Sequence, residues 1–424
     1  MAWVMALVPL VLLALGFPFF LCLLATALIV LKFFYDVPMM AIHQVMFGSI
    51  DQYALLAVPF FIFAGELMSR GGISSRILRW VASIVGSMRG SLPMTSLGLA
   101  AIFGAISGAT TAAVAAVGSL TYPRMREAGY SERFAGALIT AEGAIDNLIP
   151  PSLGFVIYGV ASETSIPALF AAGILPGLVL AGFFGCYIYY YARKTGTTER
   201  QPFSLLEFFS ASRDGLWALG AIIIVLGGIY TGVATPTEAA GVACVYAMIV
   251  TVFVYRETTP AGVFELAMRS MYLTSLVFLI VATAGLYSWL LTISGAPQAS
   301  AQFITELHAP AWAVLIVVNV FLLLVGAVLD IASAMLVFTP LLAPIGKTLG
   351  LDPVHFGVIV VMNLTIGTFV PPHGLNIFVC QAMFKVPSSE LYPGLVPFIL
   401  LSIAALMVVT YIPGLSLWIP HLIF

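Results

Sequence analysis

Apolar runs that reach or exceed the roughly 18 residues needed to cross a bilayer recur along the whole chain, punctuated by clusters of Lys and Arg. The clusters are Arg70, Arg76, Arg79 and Arg89, then Arg124, Arg126 and Arg133, then Arg193, Lys194, Arg200 and Arg213, then Arg256 and Arg269, then Lys385. Between them the pattern predicts spans near 52–69, 134–160, 169–192, 215–231, 238–255, 271–294, 356–382 and 391–420, with one or two more in 3–34. Hydrophobic cover in lipid is therefore the main organising force.

Residues 91–121, SLPMTSLGLAAIFGAISGATTAAVAAVGSLT, break this rhythm. They lie between two basic clusters but number only 31, where two crossings need about 40. One crossing would leave a basic cluster outside, so the economical arrangement is a re-entrant hairpin that enters and leaves on the cytoplasmic side. With Lys and Arg favouring cytoplasmic loops, 14 of the 16 basic residues then fall inside and only Lys32 and Lys347 outside. The segment 312–340 lies between two external, cation-poor stretches and reads as a second hairpin from the opposite face. The alternative for each hairpin is an ordinary span with small residues for helix packing.

An internal correspondence favours the hairpins. The chain has two Pro-Pro pairs, Pro150-Pro151 and Pro371-Pro372, 221 residues apart. Around them Gly104 matches Gly326, Gly129 matches Gly350, Phe134 matches Phe356, Gly65 matches Gly285 and Gly154 matches Gly374 at nearly the same offset. Since the charge pattern orients the two copies oppositely, the expected architecture is an inverted-topology repeat of the kind used by secondary transporters. The fold class is an all-α polytopic membrane protein with two re-entrant hairpins and two discontinuous helices.

In each copy a hairpin precedes a span interrupted by Pro-Pro, EGAIDNLIPPSLG in the first and NLTIGTFVPPHGLN in the second. Proline removes a backbone donor and clashes with the preceding turn, so both spans should break near mid-membrane. Unwound backbone at that depth is tolerated where it lines a cavity or is buried in protein. Freed carbonyls beside hydroxyl and carboxamide oxygens make a hard, mostly neutral cage suited to an alkali cation, with sodium the natural candidate. Half-helix N-termini at the same breaks can hold a carboxylate without a full Lys or Arg charge.

Asp330, near the second hairpin tip, is the acid expected at a cation site, the alternative being a carboxylate satisfied by local hydrogen bonds. For Asp146 the neighbouring Asn147 is an alternative ligand. Glu66, Glu142 and Glu238 read as interfacial or structural. His373 is a candidate substrate contact or a hydrogen-bonded filler. His43, His308, His355 and His421 show no metal-ligand spacing.

Composition closes off other classes. With 61% hydrophobic and 8% charged residues, the chain departs from the roughly 25% charged content of soluble domains. Cys22, Cys186, Cys244 and Cys380 lie in apolar segments without C-x-x-C spacing and read as packing residues. No basic residue precedes Lys32, so the N-terminal apolar stretch reads as a retained membrane segment, not a secretory signal.

The stretches VPFFIFAGELMSRGGISSRI, FGAISGATTAAVAAVGSLTYPRMREAGYSERFAGALI, IPPSLGFVIYG, YTGVATPTEAAGVA and LDPVHFGVIVVMNLTIGTFVPPHGLNIF together make the chain similar, over essentially its full length, to the large (DctM-like) permease subunit of tripartite ATP-independent periplasmic (TRAP) transporters. It departs from that pattern at Ala109-Thr110-Thr111, where the family usually has a serine-rich tip, and at His373. The resemblance implies a multi-pass protein of the bacterial inner membrane and sodium-driven symport of a small organic acid. Sodium would be the coupling ion, with no cofactor and no enzymatic activity. It also implies two sodium sites, an elevator motion of the hairpin-bearing domain against a scaffold, a small four-helix membrane subunit, and a periplasmic binding protein that delivers substrate. Nucleic acid is not an expected partner, and the lack of anything upstream of Met1 suggests that the small subunit is encoded separately.

On this basis Ser107, Gly108, Asn147 and Pro150 are expected at one sodium site and Gly326, Asp330, Thr368 and Pro371 at the other. Thr110, Thr111, Ser152, His373 and Asn376 are the expected substrate contacts. The implied domains are scaffold helices with an amphipathic arm at 1–90, a first transport repeat at 91–168, scaffold helices at 169–270, a second arm at 271–310, a second transport repeat at 311–385, and a C-terminal transmembrane helix at 386–424. The competing readings are a stand-alone dicarboxylate or citrate carrier, a channel, and an intramembrane enzyme. The last would need a paired aspartate, Ser-His or H-E-x-x-H motif, none of which is present.

Overall fold

The computed structural model describes residues 2–196, 204–306 and 308–424; Arg200 lies outside the described residues, as do the side chains at 2, 106 and 107. Among the described residues the chain is helical throughout and contains no strand. Seven of these helices are long and apolar enough to cross a bilayer.

The chain opens with α1 (Ala2–Ala14), α2 (Phe19–Phe33), α3 (Met39–Ile50), α4 (Ala57–Arg70) and the amphipathic α5 (Ile73–Val85). The first hairpin is α6 (Ser91–Ser107) and α7 (Thr110–Glu127), followed by α8 (Glu132–Asp146), a break, and the short α9 (Leu153–Ser162). Long helices follow: α10 (Ile166–Thr195), α11 (Leu205–Tyr230), α12 (Pro236–Ile249, ending in a π-helical turn) and α13 (Pro260–Ile293). After α14 (Ala296–Glu306), the second hairpin is α15 (Ala311–Gly326) and α16 (Ile331–Thr348), then α17 (Pro353–Gly367), a break, and α18 (Leu375–Phe384). The chain ends with α19 (Ser388–Tyr411) and α20 (Gly414–Ile423).

The two hairpin regions match element for element. Helices of 17, 18, 15 and 10 residues in α6 to α9 correspond to helices of 16, 18, 15 and 10 in α15 to α18. Ser131 caps α8 through the Phe134 amide, and Asp352, 221 residues on, caps α17 through the Val354 and His355 amides. Both Pro-Pro bonds are cis. Each first arm crosses its following helix at a glycine. A Cβ on Gly104 would lie 2.5 to 2.9 Å from the Asp146 backbone, and one on Gly326 would lie 2.8 to 3.2 Å from the backbone of Leu364 and Gly367. Only a missing side chain permits backbones this close.

Helices α8 and α17 are buried on all sides, continuously from Phe134 to Asp146 and from His355 to Gly367. An all-round apolar helix belongs in the centre. Helices α6, α7, α10, α15, α16, α18 and α19 pack on this pair, and outer helices turn large apolar side chains outward, such as Ile223 of α11 (70% exposed) and Leu324 of α15 (65%), as a lipid-facing surface requires. The two halves interlock. The second hairpin arm α7 packs on α18, where Tyr122 stacks on Phe384 at 4.9 Å, and α16 packs in turn on α9. This exchange brings both tips and both breaks to one place.

The structure alters several expected boundaries. Both hairpins run further than the sequence suggests, through Pro123 to Glu127 and through Pro340 and Pro344 to Thr348. A proline there interrupts one hydrogen bond without ending a helix packed on its neighbours. The C-terminal segment is two helices, because Pro413 and Gly414 divide 391–420. The 168/169 and 270/271 boundaries fall inside α10 and α13. Helix α11 begins ten residues before the expected span, at Leu205, because its polar first turns are held by α5. Arg79 meets Glu207 at 2.8 Å and Asp214 at 2.5 Å, and Trp80 donates to Ser212 at 3.1 Å.

Candidate functional site

A cavity of about 140 Å³ lies where the two tips and two breaks meet. Four helices begin on it: Thr110 and Thr111 belong to the first turn of α7, Ile331 and Ala332 to that of α16, Leu153 and Gly154 to that of α9, and Leu375 to that of α18. The ends of three others reach it at Gly108 (α6), Asn147 (α8) and Thr368 (α17). Among the described residues, Asp330 is the charged residue in this lining, and no Lys or Arg joins it. Helix N-termini present unpaired amides and partial positive charge; C-termini present carbonyl oxygens and partial negative charge. The cavity therefore offers both polarities without a cationic side chain.

At the first tip the chain reverses at Gly108, whose φ of +58° is the left-handed region that glycine enters without strain. Its carbonyl accepts from Leu153 N–H at 3.3 Å, tying the tip to the first break. Asn147 spans that break. Its Oδ1 accepts from Ser152 Oγ–H at 2.9 Å and Gly154 N–H at 3.3 Å, while its Nδ2 donates to Thr365 Oγ1 of α17 at 2.9 Å. One carboxamide thus closes its own break and joins the two halves. At the second tip Asp330 is the N-cap of α16, where Oδ1 accepts from Ser333 N–H at 3.0 Å and Oδ2 from Ser333 Oγ–H. Thr368 donates to Thr365 O at 2.6 Å, and its own carbonyl accepts from Asn376 N–H at 2.9 Å.

Of the residues singled out from the sequence, Gly108, Thr110, Thr111, Asn147, Asp330 and Thr368 come together on the cavity. The side chain of Ser107 lies outside the described residues. Pro150, Gly326 and Pro371 shape the surrounding backbone but do not line the cavity. Ser152 caps α9 and bonds to Asn147. His373 and Asn376 are not in the lining. His373 is exposed and stacks on Phe378 at 6.2 Å, because the turn after Pro372 faces outward. Asn376 points back into α8, donating to Thr140 O at 3.3 Å. Asp146 is fully buried beneath the Gly104 crossing and is not in the lining.

Among the acids read as structural, Glu238 closes a capping box with Thr235, and Glu66 lies 3.7 Å from Arg70 and 3.8 Å from Arg269. Sequence reasoning missed Thr365, Val58 and Val277. The threonine was signalled by its place one turn before the break in TIGT. The valines, one each from α4 and α13, are single apolar residues inside apolar helices and carry no signal of their own.

Comparison with known proteins bears on what this arrangement is for. The family described as "Tripartite ATP-independent periplasmic transporter, DctM component" matches residues 6–415. The C4-dicarboxylate TRAP transporter large permease protein DctM of Rhodobacter capsulatus is 36% identical over 96% of each chain. The ectoine/5-hydroxyectoine TRAP transporter large permease protein UehC of Ruegeria pomeroyi is 38% identical over the whole of both. Among solved structures, the YdaH transporter of Alcanivorax borkumensis superposes with a TM-score of 0.61 at 14% identity, covering 90% of this chain and 89% of that one, a likeness of fold alone.

Proposed function

The chain belongs to the DctM component family of tripartite ATP-independent periplasmic transporters, and we propose that it carries a small organic acid across the inner membrane by sodium-coupled symport. It is a multi-pass inner-membrane permease subunit for organic-acid uptake. The finer reading rests chiefly on one observation, the cavity where four helices begin and three end around a single carboxylate. Amides at the starts of α7, α9, α16 and α18 suit a substrate carboxylate, and carbonyls at the ends of α6, α8 and α17 suit sodium. Ser107, Gly108, Asn147 and Pro150 would form one sodium site and Gly326, Asp330, Thr368 and Pro371 the other. Thr110, Thr111 and Ser152 lie on or beside the substrate side.

In this reading the charge balance drives the order of events. A carboxylate beside the Asp330 carboxylate is repelled until cations occupy the ends of the broken helices, so sodium precedes or accompanies substrate. The matched halves would lie in the membrane with opposite orientation, their hairpins re-entrant, and the interlocked unit would move as an elevator against α4, α11, α12 and α13. A small membrane subunit and a periplasmic binding protein would complete the assembly. The named relatives carry C4-dicarboxylates and ectoines, which brackets the expected substrate as a compact carboxylate. Uptake into proteoliposomes, with the cognate binding protein and small subunit, should vanish when external sodium is replaced by potassium. Undiminished uptake in potassium would refute the coupling.

A further inference from the structure

Helix α8 holds a second buried acid that the cavity leaves unused. Glu142 is 0% exposed; Ser96 Oγ–H of α6 donates to its Oε1 at 2.7 Å, and Ser96 Oγ lies 2.9 Å from Thr121 Oγ1 of α7. The other carboxyl oxygen, Oε2, has no hydrogen-bond partner. The corresponding residue 221 positions on is Asn363 of α17, also 0% exposed. Its Nδ2 donates to Asn319 Oδ1 of the first arm α15 at 2.8 Å, and its Oδ1 is likewise unpartnered. A buried polar pair thus joins the first hairpin arm to the broken helix in both halves. One pair centres on an amide that is always neutral, the other on a carboxyl.

An ionised carboxylate removed from water needs a cation or several donors, and Glu142 has one hydroxyl. The helices packed on α8 supply no cation to it. Helix α6 has no titratable side chain. On α7, Arg124, Arg126 and Glu127 are exposed and Tyr122 stacks on Phe384. Arg193 and Lys194 of α10 are exposed, and its Tyr187 and Tyr191 pack on Phe134. His355 of α17 engages Ser416 and the Thr410 carbonyl, and Cys380 of α18 donates to Gly136 O. Glu390 of α19 pairs with Arg133 at 3.0 Å, nine residues and about 13 Å along α8 from Glu142. Tyr392 and Tyr411 of α19 donate to the carbonyls of Pro372 and Trp312. Asp146, one turn further along α8, adds a second acid.

A metal ion would demand a shell of oxygens, whereas the two hydroxyls here are already engaged with each other and with Oε1. A proton needs one lone pair and no room. We propose that Glu142 is a proton-binding site, held as the neutral acid beside Ser96 and Thr121 and equivalent to the neutral Asn363 amide in the other half. The proton comes from solvent and converts the carboxylate to the acid, with Ser96 still donating to Oε1. An unpaired neutral hydroxyl on Oε2 costs far less than an unpaired charge. The assignment goes beyond the sodium reading and does not depend on it.

Infrared spectra of the purified native protein carrying ¹³C-labelled glutamate should show a protonated-carboxyl C=O band at about pH 7, and E142Q should lack it. The glutamate label excludes Asp146, and the native spectrum alone can refute the proposal even if E142Q fails to fold. Glutamate bands of ionised carboxylate alone at about pH 7 in the native protein, or an undiminished protonated-carboxyl band in folded E142Q, would overturn the proposal.

Discussion

The two halves share a framework and differ in chemistry. Each has a two-armed hairpin, a glycine crossing, a capped central helix, a Pro-Pro break and a ten-residue helix beyond it. At equivalent positions, however, the first tip has Ala109 where the second has Asp330, the first break has Asn147 where the second has Thr368, and the crossing pair has Glu142 where the second has Asn363. What persists is what sets backbone shape, namely glycines, prolines and caps. What varies are the side chains that decide which charges each half holds. On the proposed reading, a fixed frame would let one half take a cation through a carboxylate and the other through neutral oxygens.

Substitutions at paired positions probe this contrast. The largest effect is expected from Asp330→Ala, which removes the carboxylate from the cavity. Sodium-dependent uptake in proteoliposomes should fall roughly a hundredfold, about 2.8 kcal/mol, while Glu238→Ala stays within about twofold. Equal losses would deny the second tip its special charge. Next come the crossings. Gly104→Ala and Gly326→Ala should each destabilise the protein by about 1–3 kcal/mol, the first more because its Cβ would meet backbone at 2.5 Å against 2.8 Å. Gly182→Ala, with nothing within 4 Å, is the control, and melting temperatures in detergent report all three.

The clasp between halves is expected to matter somewhat less. Asn147→Ala strands Ser152 and Thr365 and should cost about 1–3 kcal/mol. A double-mutant cycle with Thr365→Val should show about 0.5 kcal/mol or more of coupling, and strict additivity would mean that the contact does not join the halves. The smallest effects belong to the caps. Ser131→Ala and Asp352→Ala should each cost about 1 kcal/mol, with Asp352 the larger because it accepts from two amides.

Much of this frame could be read from the chain before folding. Pro150-Pro151 and Pro371-Pro372 announce the breaks because proline removes a donor wherever it stands, and collinear glycines announce the repeat, though not that Gly104 and Gly326 sit at helix crossings. Residues whose role depends on a distant partner were less legible. Nothing near Asn147 says that its amide will meet Thr365, 218 positions away, and nothing in HGLN says that the turn sends His373 outward and Asn376 into α8. The expected hairpin ends at 121 and 340 erred in the other direction, since the helices continue through Pro123, Pro340 and Pro344. Helical packing kept those turns intact, so the hairpins outran their expected ends. The local alternative for Asp330, a hydrogen-bonded cap, and its place on the cavity both hold, since a cap at a tip exposes one face to each.

The central claim is that the carbonyl ends of the broken helices, with the Asp330 carboxylate beside them, hold the coupling cations. The dependence of uptake rate on sodium concentration tests this most directly, measured at fixed substrate in proteoliposomes of the complete transporter. The account predicts a sigmoidal dependence in the native protein that becomes hyperbolic and shifts to higher sodium in Asp330→Ala. A hyperbolic native curve, or one that Asp330→Ala leaves unmoved, would contradict it.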